Sequence, residues 1–592
     1  MDKSYPNPRL RRKDEKLQTN VSGVEKSNNR KDTKLQKSFW PISRIGSATM
    51  ASLLVSLAAL SCFFAKSMGK SPPFPDLLNA RADELVAGLE RGAWSSVDLI
   101  KVYISRIEEV NSFLHPVAEI NPDALAIAAN LDAERASGTI RSPLHGIPLL
   151  IKDNIATMDQ MNNTAGSYAL LGAKVPRDSG IARKLRAAGI VILGKASMSE
   201  WAYFRSSNSS SGWSAREGQV TGAYYPNMDP SGSSSGSGVS SSIGLAVASL
   251  GTETSGSILS PSSQNNLVGI KPTVGLTSRA LVIPISERQD TVGPMARTVS
   301  DAASILSIIA GRDPDDNYTL VQPWESPPDY TQALNFSSLR GARIGIPRNA
   351  IPRSTTNQPM LEAFEDAIQV LKKAGATIVD NTNYSAYEEY LTDSSAAISS
   401  GSIVLDIDFV SDLPKYLSEL TLNPHNITSV ADLAKFTHNF PLEEYPQRNT
   451  ASWDEGLSLG FDNENYRFWN AFQRTSYFGA EGGVTGSLKA YNVDALILPT
   501  QYSASIPALA GLPAITVPLG FYPSNTTAVK SEHWNLVQIA PGIPFGITFL
   551  GPKWSEEKLI SYAFAFEQRT HTRLKVNPRV VPKTQLDNIV KA

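Results

Sequence analysis

Serine and glycine cluster at two points of the chain, Ser231–Ser237 (SGSSSGS) and Gly251–Ser257 (GTETSGS), with the apolar run Ile243–Leu250 between them. A serine hydroxyl becomes an effective nucleophile only when a base takes its proton. Flanking glycines allow the backbone to adopt a positive φ and to approach a ligand closely, as an oxyanion-binding loop requires. The arrangement therefore predicts two serines at one reactive site, in preference to a flexible Gly/Ser linker.

A third segment supplies a candidate base. Lys152 directly follows the apolar run Ile147–Ile151, which predicts an ammonium group at the end of a buried strand. Burial disfavours the charged form of lysine and can lower its pKa by several units. The alternative is a surface lysine paired with Asp153. On this segment alone the surface lysine is the simpler interpretation. The family motifs described next favour the base, because a neutral amine could accept a proton from a serine.

These three segments resemble the motifs of the amidase signature family, the Ser-cis-Ser-Lys hydrolases. That family carries GGSSGGS followed by GT(D/E)xGGS, with its lysine upstream in G-(I/V)-P-x-x-x-K-D. This chain reads SGSSSGS, GTETSGS and HGIPLLIKDNI. The resemblance extends from about Phe74 to about Arg573 and is nearest to the peptide amidase and fungal amidase subgroup. It implies an α/β amidase-signature fold with a mixed central β-sheet flanked by helices.

Position by position, the resemblance implies Ser257 as the nucleophile, Ser233 as a bridging serine on a cis Gly232–Ser233 peptide bond, and Lys152 as the base. The oxyanion hole would be formed by backbone N–H groups of Thr254, Ser255, Gly256 and Ser257. The implied reaction is hydrolysis of a carboxamide C–N bond through an acyl-enzyme intermediate, which releases ammonia or an amine. The implied substrate is a small-molecule or peptide amide, with no metal or cofactor.

The chain departs from the family pattern at three positions near the second serine cluster. Glu253 stands where many members have Asp, Ser255 where they have Gly, and Leu259 where they have Arg. Glu253 keeps the negative charge, whereas Leu259 removes a cation. The Cβ atom of Ser255 predicts an ordinary φ for that residue. We expect these changes to tune the pocket without abolishing catalysis.

Other enzyme classes are weaker fits to the sequence. Gly232–Gly236 also matches the G-x-S-x-G nucleophile elbow with Ser234 at its centre, but the preceding Tyr225–Pro230 is typical of a turn and not of the strand that an elbow requires. The six histidines include no evident triad partner or metal-ligand spacing. Two further alternatives stay open: a catalytically silent scaffold or binding protein, and an A-type subunit of a tRNA-dependent amidotransferase.

The N-terminal region suggests a membrane connection. Residues 1–46 carry 12 Lys and Arg against 5 Asp and Glu and are expected to be a disordered tail. Residues 47–66 begin with a run of about nineteen uncharged residues, which predicts a signal-anchor. Residues 67–592 would then form a lumenal or extracellular catalytic domain of a single-pass membrane protein. Cleavage after the segment, or a start at Met50, would instead give a secreted enzyme.

Composition adds few further constraints. The catalytic part has no basic patch that would suggest nucleic acid as a partner. The single cysteine, Cys62, permits no intramolecular disulfide. Seven glycosylation sequons beyond the hydrophobic segment suit a lumenal or extracellular protein. They lie at Asn162, Asn208, Asn317, Asn335, Asn383, Asn426 and Asn525.

Apolar periodicity predicts strands that alternate with helices. The predicted strands are Ile147–Ile151, Ile190–Leu193, Ala246–Leu250, Arg343–Ile346, Thr377–Val379, Ala495–Leu498, Ala514–Pro518 and Pro544–Phe549. The predicted helices are Asp76–Arg91, Ser96–Val110, Gln358–Ala374 and Glu556–Arg569. Residues 396–477 match no motif, and their aromatic residues are expected to be ordinary core more often than the lining of an apolar channel.

Overall fold

Short apolar runs bounded by Gly, Pro or polar residues form the strands of the protein. The computed structural model describes residues 74–352, 354–393, 403–531 and 534–591. Its strands are β1 (Val117–Ile120), β2 (Pro148–Lys152), β3 (Val191–Ala196), β4 (Trp213–Ser214), β5 (Gly218–Gln219), β6 (Ala248–Glu253), β7 (Val268–Lys271), β8 (Thr291–Ala296), β9 (Arg343–Ile346), β10 (Thr377–Asp380), β11 (Ala495–Pro499), β12 (Ala514–Phe521), β13 (Val529–Lys530), β14 (Val537–Ile539) and β15 (Pro544–Leu550).

Most of these strands belong to one large mixed sheet. Its strand order is β1-β3-β2-β6-β8-β7-β12-β15-β11-β9-β10, and the pairs β4–β5 and β13–β14 form two small separate sheets. Strand β2 runs parallel to β6, whereas β8 runs antiparallel to β6. The last residues of β2 and β6 therefore lie at the same edge of the sheet as Thr291, the first residue of β8. This edge carries the candidate site.

Helices flank the sheet, which explains why every residue of β2, β3, β6 and β15 is buried. The described helices are α1 (Ala82–Glu90), α2 (Ser96–Leu114), α3 (Ala124–Ala136), α4 (Gly180–Ala187), α5 (Ser235–Ser242), α6 (Leu259–Gln264), α7 (Val299–Ile309), α8 (Gln358–Lys373), α9 (Tyr387–Thr392), α10 (Ile403–Ser418), α11 (Val430–Asn439), α12 (Ala451–Leu459), α13 (Tyr466–Gly479), α14 (Val484–Ala490), α15 (Ser505–Leu509), α16 (Glu556–Thr570) and α17 (Leu586–Val590).

The mixed α/β fold with a helix-flanked central sheet confirms the expected architecture. Each predicted strand is present, with ends that shift by a few residues. Strand β8 was not predicted, because Gly293 and Pro294 in its middle are residues that normally disfavour a central strand. Helix α1 begins at Ala82 and not at the predicted Asp76, whose carboxylate instead accepts a hydrogen bond from the backbone N–H of Leu78.

The membrane prediction is corrected. Among the described helices, none is both long and apolar enough to cross a membrane. The longest of them, α2, has 19 residues but carries charged side chains such as Lys101, Arg106 and Glu109. On this finding the predictions of a transmembrane signal-anchor and of a single-pass membrane protein with a lumenal domain were wrong. Those predictions rested on residues 47–66, which lie outside the described residues. The predicted domain boundaries at 46 and 66 also lie outside them.

Residues 403–477, the described part of the region that matched no motif, are mainly helical and share an apolar cluster with residues such as Trp201. Phe409 of α10 stacks with Trp453 of α12 at a ring distance of 6.2 Å, and both contact Trp201 edge to face. Phe409 and Phe468 are buried, whereas Tyr466 is 69% exposed. Phe409, Tyr416, Trp453 and Phe468 are therefore core residues, as expected, whereas Tyr445, Tyr466, Trp469 and Tyr477 are exposed.

Candidate active site

Lys152 is the last residue of β2, and its side chain is entirely buried. Its Nζ atom lies 2.7 Å from Ser233 Oγ, 2.9 Å from Thr252 Oγ1 and 3.2 Å from the Thr252 carbonyl oxygen. The parallel pairing of β2 with β6 explains this contact, because it carries Thr252 of β6 alongside the end of β2. The surface interpretation of Lys152 is therefore wrong.

Burial dominates the electrostatics of Lys152. Desolvation lowers the pKa of its ammonium group from 10.5 to about 7, although the nearby carboxylates of Asp290 and Glu253 act in the opposite direction. No ion pair with Asp153 forms. That carboxylate instead accepts hydrogen bonds from the Thr164 hydroxyl at 2.5 Å and from the Gly166 backbone N–H at 2.9 Å. A substantial fraction of Lys152 is thus a neutral amine near pH 7.

Ser233 lies two residues before the start of helix α5 and is fully buried. The Gly232–Ser233 peptide bond is cis, as the resemblance implied. The carbonyl of Ser233 accepts a hydrogen bond from the backbone N–H of Ser199 at 3.0 Å. A Cβ atom at Gly232 would lie 2.4 Å from Ser199 Oγ, so the close contact with Ser199 requires glycine there.

Ser234, the centre of the G-x-S-x-G match, has a structural role. Its buried hydroxyl donates to the Thr252 carbonyl at 3.1 Å and accepts from the Thr252 backbone N–H at 3.3 Å. Its own backbone N–H donates to the Ser257 carbonyl at 3.3 Å. These bonds set the two serine clusters side by side and leave Ser234 without a base.

Ser257 lies in the loop between β6 and α6, and it is partly exposed. Within the described residues its hydroxyl has no hydrogen-bond partner, so it is available for reaction. Gly256 has φ +86°, a conformation that favours glycine, whereas Ser255 is not among the described residues with positive φ. The expectation of an ordinary φ at Ser255 is therefore confirmed.

The residues predicted as oxyanion donors share one property. In the part of the chain that the structure describes, their backbone N–H groups donate to no acceptor of the protein. These residues are Thr254, Ser255, Gly256 and Ser257. Consecutive free N–H groups beside a serine hydroxyl are suited to bind a developing oxyanion.

Two carboxylates hold this loop in shape. Glu253 Oε2 accepts from the backbone N–H groups of Ile258 at 2.7 Å and Leu259 at 2.9 Å, which ties the end of β6 to the start of α6. Asp290 accepts from the Thr254 hydroxyl at 2.6 Å, and burial raises the pKa of Asp290 to about 6. Glu253 thus fixes the residues that follow the 254–257 loop, and Asp290 fixes the side chain of the first residue of that loop.

The structure thus brings the residues predicted from sequence to one sheet edge. Sequence reasoning missed Thr252, whose hydroxyl also accepts from Asn154 Nδ2 at 3.1 Å, and it missed Asp290. The position of Thr252 inside the GTETSGS motif is the signal that could have identified it. Asp290 is 33 residues beyond Ser257, so only the antiparallel pairing of β8 with β6 reveals its proximity.

Comparison with known proteins agrees with this geometry. The Amidase family model matches residues 98–560. A protein of Arthroderma benhamiae named "Putative amidase" is 50% identical over 537 residues, which cover 87% of this chain and 90% of that protein. The A-type subunit of the glutamyl-tRNA(Gln) amidotransferase of Acinetobacter baumannii is 29% identical over 520 residues, covering 84% of this chain and 98% of that protein.

The chain is also similar to solved structures of peptide amidases. The native peptide amidase of Stenotrophomonas maltophilia is 36% identical, with a TM-score of 0.74 and coverage of 85% of this chain and 98% of that chain. A peptide amidase has also been solved with the competitive inhibitor chymostatin, at 36% identity and a TM-score of 0.75. The chain therefore belongs to the amidase family and is a hydrolase of carbon–nitrogen bonds in amides.

Proposed function

We propose that this protein hydrolyses carboxamides through a proton relay of Ser257, Ser233 and Lys152. The proposal rests on the hydrogen-bond partners of the buried Lys152 Nζ atom. A neutral amine has two N–H donors and one lone pair. The carbonyl and hydroxyl oxygens of Thr252 can accept the two donors, which leaves the lone pair directed at the Ser233 hydroxyl.

Acylation follows from this arrangement. Ser257 Oγ attacks the amide carbonyl carbon while its proton passes to Ser233 Oγ, and the proton of Ser233 passes to Lys152 Nζ. The carbonyl oxygen gains negative charge, which the free N–H groups of the 254–257 loop stabilise. When the C–N bond breaks, Ser233 donates a proton to the leaving nitrogen, and Lys152 returns its proton to Ser233. The products of this half-reaction are acyl-Ser257 and ammonia or an amine.

Deacylation uses the same groups. A water molecule attacks the ester carbonyl of acyl-Ser257, and its proton enters the relay towards Lys152. The ester C–O bond then breaks, Ser257 recovers a proton, and the carboxylic acid leaves. No metal or cofactor is required, since protons and nucleophiles all come from the chain and from water.

Peptide C-terminal amides are the substrates that we propose first. The support is the 36% identity with the Stenotrophomonas maltophilia peptide amidase over nearly all of that chain. The relation to the amidotransferase is more distant, at 29% identity. A catalytically silent scaffold fits poorly, because a buried lysine with a depressed pKa would destabilise the fold without any compensating role.

Ammonia release by the purified protein tests the proposal. The panel contains peptide C-terminal amides, aryl amides and fatty amides, with Ser257→Ala as the matched inactive variant. We expect release from peptide amides that disappears in the variant, together with fluorophosphonate labelling of the wild type alone. Absence of both release and labelling in a folded protein would favour the scaffold, and release from fatty amides alone would overturn the substrate assignment.

A further inference from the structure

Helix α5 begins two residues after Ser233, at Ser235, yet its sequence, SGSGVSSS, is a poor helix former. Glycine has a high entropic cost in a helix, and serine side chains compete for backbone hydrogen bonds. The helix spans eight residues, which is too short to be stable alone. Its stability must therefore come from tertiary contacts. All eight residues are buried, so water does not reach the carbonyl groups at its C-terminal end.

Three arginines from distant parts of the chain bind those carbonyl groups. Arg297 Nη1 donates to Ser241 O at 3.2 Å, and Arg573 Nη2 donates to Ser242 O at 2.9 Å. Arg106 donates through Nη2 to Ile243 O at 2.9 Å and through Nε to Gly244 O at 2.6 Å. Four consecutive carbonyl groups thus receive guanidinium donors.

These guanidinium groups have no carboxylate partner within ion-pair distance among the described residues. They donate to further backbone carbonyls, such as Ala80 O for Arg297 and Asn266 O for Arg573. Burial lowers the pKa of Arg106 and of Arg573 to about 10, which still leaves both charged at neutral pH. Positive charge at the C-terminal end of a helix interacts favourably with its dipole.

We propose that Arg106, Arg297 and Arg573 are positioning residues that hold helix α5, and through it Ser233, against Lys152. The helix is the rigid link: its C-terminal carbonyls are bound by the arginines, and its first turn adjoins Ser233. Loss of one arginine would let the helix shift or fray and would lengthen the contact between Ser233 Oγ and Lys152 Nζ. The catalytic part of this inference rests on the proposed function, whereas the structural part does not.

Arg573 is the residue to vary first, because it is the least buried of the three arginines and we therefore expect its loss to disturb folding least. Arg573→Met removes the donors, and Arg573→Lys keeps a charge and a donor at similar length. Lys184→Met is the matched control. Lys184 also binds carbonyl groups at a helix end, namely Ile309 O, Ala310 O and Gly311 O at the end of α7, but α7 carries none of the site residues.

Hydrogen exchange followed by mass spectrometry tests the structural part without reference to activity. Peptides that cover residues 234–244 should exchange about tenfold faster in Arg573→Met than in the wild type. In Arg573→Lys their exchange rate should lie between those of the wild type and Arg573→Met. In Lys184→Met it should equal the wild-type rate. Unchanged exchange in Arg573→Met would overturn the proposal. Equal acceleration by Lys184→Met would also overturn it, since the effect would then reflect general destabilisation. If Arg573→Met does not fold, the exchange rates of residues 234–244 in Arg573→Lys and in Lys184→Met are compared instead. Faster exchange in Arg573→Lys alone would support the proposal, and equal rates would overturn it.

Kinetics test the consequence for Ser233. Arg573→Met should lower kcat for a peptide amide about 10- to 100-fold with little change in KM, and Arg573→Lys should recover part of that loss. Wild-type kcat in a variant with accelerated exchange would overturn the link to Ser233. A wild-type protein that releases no ammonia would contradict the proposed function instead, and the exchange result would still decide whether the arginines hold α5.

Discussion

The Nζ atom of Lys152 lies 2.7 Å from Ser233 Oγ, and both side chains are completely shielded from solvent. A buried lysine that lacks an ion pair is costly unless it is neutral for part of the time. Its pKa of about 7 places the neutral form within the physiological range. The contact therefore joins a base that is available near pH 7 to the hydroxyl that must lose a proton in the proposed relay.

The first prediction concerns the pH dependence of activity. The relay needs neutral Lys152, so kcat/KM should rise as the pH increases through about 7 and should level off above that value. Initial rates of ammonia release from a peptide amide between pH 5.5 and 9 measure this profile. A flat profile, or one that falls across pH 7, would be incompatible with Lys152 as the base.

The same pKa predicts how stability changes with pH. Lysine has a pKa of 10.5 in the unfolded chain and about 7 in the fold, so between these values the unfolded chain binds more protons. Stability should therefore rise with pH in that range, by up to about 1.4 kcal/mol per pH unit relative to Lys152→Met. Urea unfolding of both proteins at pH 6, 7, 8 and 9 measures the difference. A difference that stays constant with pH would contradict the depressed pKa.

The third prediction tests how the lysine nitrogen is oriented. Thr252→Val removes the hydroxyl that accepts from Lys152 Nζ at 2.9 Å, so the lone pair is no longer constrained towards Ser233. We expect kcat to fall about tenfold, whereas Thr252→Ser, which keeps the hydroxyl, should remain near the wild-type rate. Both variants are compared by steady-state kinetics on one peptide amide. Equal rates for Thr252→Val and the wild type would show that the hydroxyl has no part in catalysis.

A pair of neighbouring substitutions tests the oxyanion loop. Gly256 has φ +86°, and an added Cβ would lie 3.1 Å from Ser260 Oγ, so Gly256→Ala should distort the loop and lower kcat about 10²- to 10³-fold. Ser255→Gly should be tolerated, because the family pattern has glycine there. Comparable losses in both variants would argue against a specific role for the loop conformation.

Much of the site was predictable because its residues come from short segments with strong local patterns. Lys152 ends an apolar strand, and Ser233 and Ser257 lie in two Gly/Ser clusters whose spacing agrees with the family motifs. The resemblance to the family supplied the roles and the cis peptide bond, which no propensity indicates. The alternating strands and helices likewise followed from apolar periodicity, and the sheet order required the structure.

Other features could not be predicted from local sequence. The arginines at the end of α5 come from α2, from just after β8 and from beyond α16, so only the tertiary fold brings them together. Helix α5 itself has the composition of a linker. The membrane prediction relied on residues 47–66, on the basic tail before them and on the sequons, and it has no support from any described helix.

The proton relay is tested most directly by kcat/KM for ammonia release by Lys152→Ala at pH 7, measured beside the wild type and Ser257→Ala. Removal of the base should lower kcat/KM by about 10²- to 10⁴-fold while the far-ultraviolet circular dichroism spectrum stays unchanged. We expect activity near the background of Ser257→Ala. A folded Lys152→Ala protein with the wild-type rate would contradict the proton relay.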